Sequence, residues 1–209
     1  MKLDNALPAY LRAALQPSTT EAIYSDYDLN NDRAGVLPDG KPAAVLVPLI
    51  LRKTGWQVLL TLRSEQMPFH AGQISFPGGR CAADDADMQA TSLREFEEET
   101  GVPQQQVKIL GQFEQYHTVT NFRITPFVGV IAPPVRLSPD PREVAEIFEV
   151  PFSFVSNLSN FKRQSALWQG QQRFYYSIPW QNRYIWGATA GLLRTLAKRM
   201  QASSNGNLR

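Results

Sequence analysis

Hydrophobic positions along this chain follow distinct patterns, and each predicts a different kind of element. In LDNALPAYLRAAL, Leu7, Leu11, Ala14 and Leu15 recur at helical spacing, which predicts a short amphipathic helix stopped by Pro17. Near-continuous apolar runs at 43–51 (AAVLVPLIL) and 56–63 (WQVLLTLR) predict two strands, and the RKTG between them suits a hairpin. QISF at 73–76 reads as a short strand closed by a turn at Pro77, Gly78 and Gly79. VKILGQFEQYHTV (107–119) and FRITPFVGVIA (122–132) read as further strands, ended by Pro133 and Pro134. PREVAEIFEVPFSFV carries strand or turn material with a polar face. Helical periodicity is strongest at 86–100 (ADMQATSLREFEEET), just before Gly101 and Pro103. It returns at 182–201 (NRYIWGATAGLLRTLAKRMQ), despite Gly187 and Gly191.

Strands joined by short turns and mixed with helices predict an α/β fold with a mixed or antiparallel sheet, rather than a doubly wound parallel one. Residues 1–25 read as an N-terminal helix and arm, 26–201 as one domain and 202–209 as a flexible tail, with 18–42 polar and turn-rich. A chain of 209 residues can bury a substantial core, and 43% hydrophobic with 19% charged residues suits a globular protein. A net charge of +2 gives no argument for nucleic acid or an anionic membrane as partner. The run at 43–51 is too short to span a bilayer and contains Pro48. Asp4, Asn5 and Pro8 fall where a signal peptide needs an apolar stretch, and the one cysteine, Cys81, can form no internal disulfide. A cytoplasmic location is the expectation. The aromatic stretches at 168–180 offer core packing, a dimer surface or a platform for a purine ring; with the N-terminal helix they supply surfaces for a homodimer.

The acidic stretch REFEEETG at 94–101 poses a physical problem. Glycine after a helix marks its C-terminal end, where the dipole is already negative and carboxylates are unfavourable. At about 100° per residue, with Glu95 as zero, Glu98 falls near about −60° and Glu99 near about +40°. Three carboxylates therefore share one face, while Leu93, Phe96 and Thr100 fall on the opposite, core side and Glu97 lies at its edge. A solvated acidic face is one reading. A bound hard divalent cation, Mg²⁺ or Mn²⁺, is the other. The glycine pair in FPGGR (76–80) lets a backbone approach an anion or turn tightly, and Arg63 and His70 lie upstream in the polar LRSEQMPFHAGQ. A carboxylate face, a glycine turn and nearby cations suit a diphosphate.

These residues carry a family resemblance. Gly78 and Gly79, followed by Arg94, Glu95, Phe96, Glu98, Glu99, Gly101 and Val102, resemble the signature box of Nudix hydrolases. The first half departs from it: the family's usual glutamate would fall at Ala86 and its usual glycine at Arg80, in a loop one residue longer, where Asp84, Asp85 or Asp87 stand as replacements. LLTLRSEQMPFHAGQISFPGGR (59–80) is similar to the segment ahead of the box in the coenzyme A diphosphatase branch, and IWGATAGLL (185–193) to its C-terminal helix. The resemblance implies an α/β/α sandwich around a mixed sheet. It also implies metal-dependent cleavage of coenzyme A to 3′,5′-ADP and 4′-phosphopantetheine by water attack on phosphorus.

Carried over by position, Glu95, Glu98 and Glu99 are the implied metal ligands, with Glu95 and Glu98 also counted as catalytic. Arg63, His70, Gly78, Gly79 and Arg80 are candidates for substrate binding, as is Arg123 for a phosphate, while Arg94 reads as orienting a glutamate. The general base is sought in PREVAEIFEVP, which supplies Glu143, Glu146 and Glu149; Glu146 is the choice, with Glu95 as another. Alternatives are a Nudix hydrolase for another nucleoside diphosphate, such as ADP-ribose or NADH, a Nudix module that binds without turnover, and a purely structural acidic helix.

Overall fold

The computed structural model describes residues 7, 9–15, 24–26, 28–30, 40–168 and 170–206. Much of the arm and of the polar stretch 18–42 thus lies outside the described residues, as do 207–209 of the expected tail. Helix α1 (Ala9–Ala14) follows the first predicted pattern, and strand β1 (Tyr24–Ser25) precedes the long strand β2 (Lys41–Arg52). Then come β3 (Gly55–Arg63), β4 (Ile74–Ser75), β5 (Gly78–Arg80), helix α2 (Met88–Thr100), β6 (Val107–Gln112), β7 (Tyr116–His117), β8 (Phe122–Ile131) and β9 (Val144–Pro151). A short helix α3 (Phe152–Val155), strands β10 (Lys162–Trp168), β11 (Gln171–Trp180) and β12 (Arg183–Trp186), and helix α4 (Gly187–Gly206) complete the chain. No helix among the described residues is long and apolar enough to cross a membrane.

The main sheet is mixed. Its order is β1-β7-β8-β2-β3-β4, with β5 also on β2, β6 on β8 and β9 on β3. β2 runs parallel to β8 from Lys41 opposite Phe122 to Leu49 opposite Val130, and antiparallel to β3 through the predicted hairpin. Both faces of β2 are buried, which is why its sequence is continuously apolar instead of alternating. Ala44 and Leu46 pack with Phe96 of α2, Leu59 and Phe127 on one face. Val47 and Leu49 face the other way, with Val58 and Leu60, toward Leu11 of α1 and Leu192, Leu193 and Leu196 of α4. Two helical layers therefore sandwich the sheet. Pro48 is tolerated in mid-strand because it lies between the stretch paired with β5, which ends at Val45, and the stretch paired with β3, which begins at Leu49.

Several expectations change in detail. The stretch 107–119 splits into β6 and β7, with a register shift at Gly111. The predicted helix at 182–201 starts later: β12 pairs with β11, and Gly187 at φ 62° turns the chain into α4. α4 continues to Gly206, so helix replaces the first residues of the expected tail. The aromatic stretches form β10 and β11 of a separate three-stranded antiparallel sheet, order β10-β11-β12, a hairpin whose turn residues gave no clear signal. The Trp180 ring packs tilted against Phe154 of α3, centroids 4.5 Å apart, at the edge of the core.

Candidate functional site

Helix α2 starts with Asp87 as its N-cap, whose carboxylate accepts the Ala90 N–H at 2.7 Å, and ends at Gly101 in the left-handed conformation, φ 69°. Phe96 is fully buried against the sheet, a contact that stabilises by about 2–3 kcal/mol. That anchoring presents Glu95, Glu98 and Glu99 toward the ends of β3 and β5, in three different settings. Glu99 is 2% exposed and accepts hydrogen bonds from Thr61 Oγ1 at 3.3 Å and the Gly78 N–H at 3.4 Å. Glu95 is largely shielded, whereas the Glu98 side chain is 57% exposed.

Arg94 gathers the acids around it. Its Nη1 donates to Glu95 Oε1 at 3.0 Å and Glu98 Oε2 at 2.9 Å, while Nε and Nη2 hold the two oxygens of Asp85 at 2.9 and 3.0 Å. Nη2 also donates to the Arg80 carbonyl at 3.2 Å, tying the loop to the helix. Of the three aspartates considered for the longer loop, Asp85 is the one on Arg94. It also accepts from the Ala82 N–H and Thr91 Oγ1, each at 2.8 Å, so its carboxyl is held well below its ordinary range, chiefly by Arg94. Asp87 is spent on the helix cap.

The glycine pair is not a turn. Gly78 and Gly79 belong to β5, antiparallel to Val45 and Ala44 of β2, and neither has positive φ. Glycine is required for a packing reason: a Cβ at Gly79 would overlap the Glu95 carboxylate, and one at Gly78 would overlap the Ala44 carbonyl. The glycines let the strand lie directly under the acidic helix.

Burial leaves this face electrostatically unbalanced. Desolvation pushes the Glu99 carboxyl up to about 7, against the opposing pull of the Gly78 N–H and of Arg63; Glu95 and Glu143 add repulsion. Glu95 is also raised, first by desolvation, with Arg94 opposing and Glu98 and Glu143 adding. Arg63, at the end of β3, has a buried Nε with no hydrogen-bond partner. A buried donor without an acceptor, beside raised carboxyls, is the arrangement an anion and a cation together would satisfy.

The sheet gives the three candidate bases different surroundings. Cross-strand partners share a face. Thr61 pairs with Ile147 and points at α2, so Leu62 and its partner Glu146 point to the opposite side. There Glu146 forms an ion pair with Arg183 of β12, whose guanidinium also lies 4.2 Å from the Phe148 ring centroid. Glu146 does not join the α2 carboxylates, because strand alternation turns it to the face opposite Thr61; the register shift between Leu62 and Arg63 comes only after it. Glu149 is held by Arg52. Glu143, beyond the shift, is the residue of this segment whose charge acts on Glu95 and Glu99. His70 sits in the exposed loop with φ 59°, its Nδ1 3.0 Å from Gln73 Oε1. The Arg80 guanidinium lies 5.3 Å from the Phe122 ring centroid, and Arg123 pairs with His117 across β8 and β7.

The donor chemistry of Glu95, Glu98 and Glu99, all carboxylate oxygens around a desolvated group, fits a hard divalent cation. Among the described residues no three acids, imidazoles or thiols are gathered as a finished cage, because Arg94 draws Glu95 and Glu98 onto itself. The family described as NUDIX domain matches residues 40–173. The chain is 40% identical over 78% of its length to the uncharacterized Nudix hydrolase NudL of Photorhabdus laumondii, covering 87% of that protein. It is 38% identical over 75% of its length to the NudL of an Enterobacter species, covering 81%. Among solved structures, the MutT protein of Methanosarcina mazei aligns with TM-score 0.49 at 19% identity, covering 80% of this chain and 99% of that one.

Proposed function

The chain belongs to the Nudix family of hydrolases, and from that premise we propose that it hydrolyses the diphosphate bond of coenzyme A, releasing 3′,5′-ADP and 4′-phosphopantetheine. The observation that carries the reading is the junction of the segment 59–80 with the acidic helix. That segment, similar to the coenzyme A branch, supplies Thr61, Arg63 and Gly78 around Glu99 and places Gly79 under Glu95. Glu95, Glu98 and Glu99 are the residues that would hold Mg²⁺ or Mn²⁺. Such an ion supplies charge neutralisation at the diphosphate and lowers the pKa of a bound water.

The chain's own residues take the remaining roles. Arg63 offers its unpartnered Nε to a phosphate oxygen, where the planar guanidinium suits the geometry. Arg94 keeps Glu95 and Glu98 oriented and neutralises them before the ion binds. Glu143 replaces Glu146 as the proposed general base, because its charge is felt at Glu95 and Glu99 while Glu146 is committed to Arg183 on the other face. His70 and Arg80 are proposed to contact substrate from the rim.

The test is product analysis after incubation with coenzyme A, ADP-ribose and NADH, with and without Mg²⁺ or Mn²⁺. Ion-dependent release of 3′,5′-ADP from coenzyme A alone is the expected result. Cleavage of ADP-ribose or NADH instead would keep the Nudix chemistry and overturn the coenzyme A assignment.

A further inference from the structure

Strand β10 ends the small sheet with nothing beside it among the described residues, and every residue from Lys162 to Trp168 except Gln164 is exposed. At its far end Leu167 is 81% and Trp168 51% exposed. The direction of its backbone groups follows from β11. Phe174 accepts from Asn30 Nδ2 at its carbonyl, 3.1 Å, and donates its N–H to Asn30 Oδ1, 2.7 Å, so both groups point away from β10. Phe174 lies opposite Ser165, making that pair the non-hydrogen-bonded kind. By alternation, Arg163, Ser165 and Leu167 turn their N–H and C=O groups outward to the free edge, while Lys162, Gln164, Ala166 and Trp168 bond to β11.

We propose that β10 is a homodimer interface, pairing antiparallel with β10 of a second copy about a two-fold axis through Ser165. In that register Ser165 meets Ser165, and Arg163 meets Leu167 of the second copy, so every outward group of the three residues finds a partner in six hydrogen bonds. The charge pattern is self-complementary in the same register. Both cations, Lys162 and Arg163, lie at one end and the uncharged Ala166, Leu167 and Trp168 at the other. Antiparallel pairing sets each Lys162 against Trp168 of the other copy, as a cation over an aromatic face, and keeps the two Lys162 residues about 20 Å apart. A parallel pairing would stack like charges. Arg163 is already held on its face by the Phe174 ring, 3.8 Å away, and Gln172 Nε2 holds Ser165 Oγ at 3.1 Å, so the edge is preorganised. The second copy is favoured over another partner because the strand supplies both halves of the match.

Sedimentation velocity of the full chain across the micromolar range tests this. The expected result is a dimer. Ser165→Pro deletes an outward N–H without touching the β10–β11 ladder, and it should raise the dimer dissociation constant about tenfold or more, with the melting curve kept as a check on folding. Leu167→Glu is the second variant, should proline unsettle the hairpin. In a Cys81→Ser background, Ser165→Cys should cross-link on mild oxidation, because the two-fold puts its Cα atoms about 5.5 Å apart, while Gln164→Cys should cross-link poorly. A monomer throughout would overturn the proposal and leave the edge to another chain. A dimer that Ser165→Pro leaves intact and Ser165→Cys does not trap would place the interface elsewhere and overturn it equally.

Discussion

The two faces of β3 near its end hold charges of the same kind in opposite states. On the α2 face, Glu99, Glu95 and Glu143 repel one another, Glu99 is desolvated, and Arg63 keeps a buried nitrogen unpartnered. On the α4 face, one residue along, Glu146 and Arg183 satisfy each other. A paired acid and base close to solvent add little to stability and have no remaining demand. A surplus of buried negative charge beside an unpartnered donor costs stability, and it persists where a ligand completes it. The difference between the faces locates chemistry better than the count of acids in the sequence does.

Glu99→Gln should have the largest effect, lowering kcat by about a thousandfold or more while leaving metal-free stability unchanged or higher. Equal loss of stability and activity would make Glu99 a structural residue. Glu143→Gln comes next, with an expected loss of roughly a hundredfold in kcat, read from steady-state kinetics with the ion saturating. If Glu146→Gln did the same, the assignment of the base would return to the α4 face. Arg63→Ala should raise KM by about tenfold or more for coenzyme A, a loss of bound phosphate contact that substrate titration would detect.

Stability against pH sharpens the contrast without any assay of turnover. The Glu99 carboxyl is raised in the folded protein, so the folded state holds this proton more tightly than the unfolded chain does. The unfavourable contribution is absent below the ordinary carboxyl range, grows as pH rises toward about 7, and is full above that. Urea unfolding of ion-free protein should therefore show stability falling by up to roughly 3 kcal/mol over that window, less wherever water penetrates. Glu99→Gln should flatten the slope, and Mg²⁺ or Mn²⁺ should restore stability most at the higher pH. The smallest effect belongs to the other face: Glu146→Gln should cost no more than about 1 kcal/mol and change kcat less than about threefold.

Much of the α2 side was legible in advance, and for one reason. A helix brings residues three and four apart onto one face by local geometry, so Glu95, Glu98 and Glu99 opposite a buried Phe96 could be placed from spacing alone. Leu7, Leu11, Ala14 and Leu15 were legible in the same way, and all four are buried. The glycine pair reads as a turn in the sequence, and a PGG stretch does not reveal that it will form a strand with a helix carboxylate lying on its Cα. Strands β10 and β11 were missed because β10 is exposed at nearly every residue and β11 grades from exposed to buried along its length, so neither leaves a clear alternation.

Features that depend on a single element's period can be read from the chain alone: the acidic face, its apolar back, the continuous apolar β2 and the short N-terminal helix. Which distant residues meet that face depends on how the strands pair and which elements pack over them. Alternation along β9 turns Glu146, the partner of Leu62, away from the face that Thr61 and Ile147 share with α2. Arg183, which holds Glu146, comes from β12, and Glu143, just before β9 begins, is the one whose charge reaches Glu95 and Glu99, so neither meeting can be read from a list of glutamates.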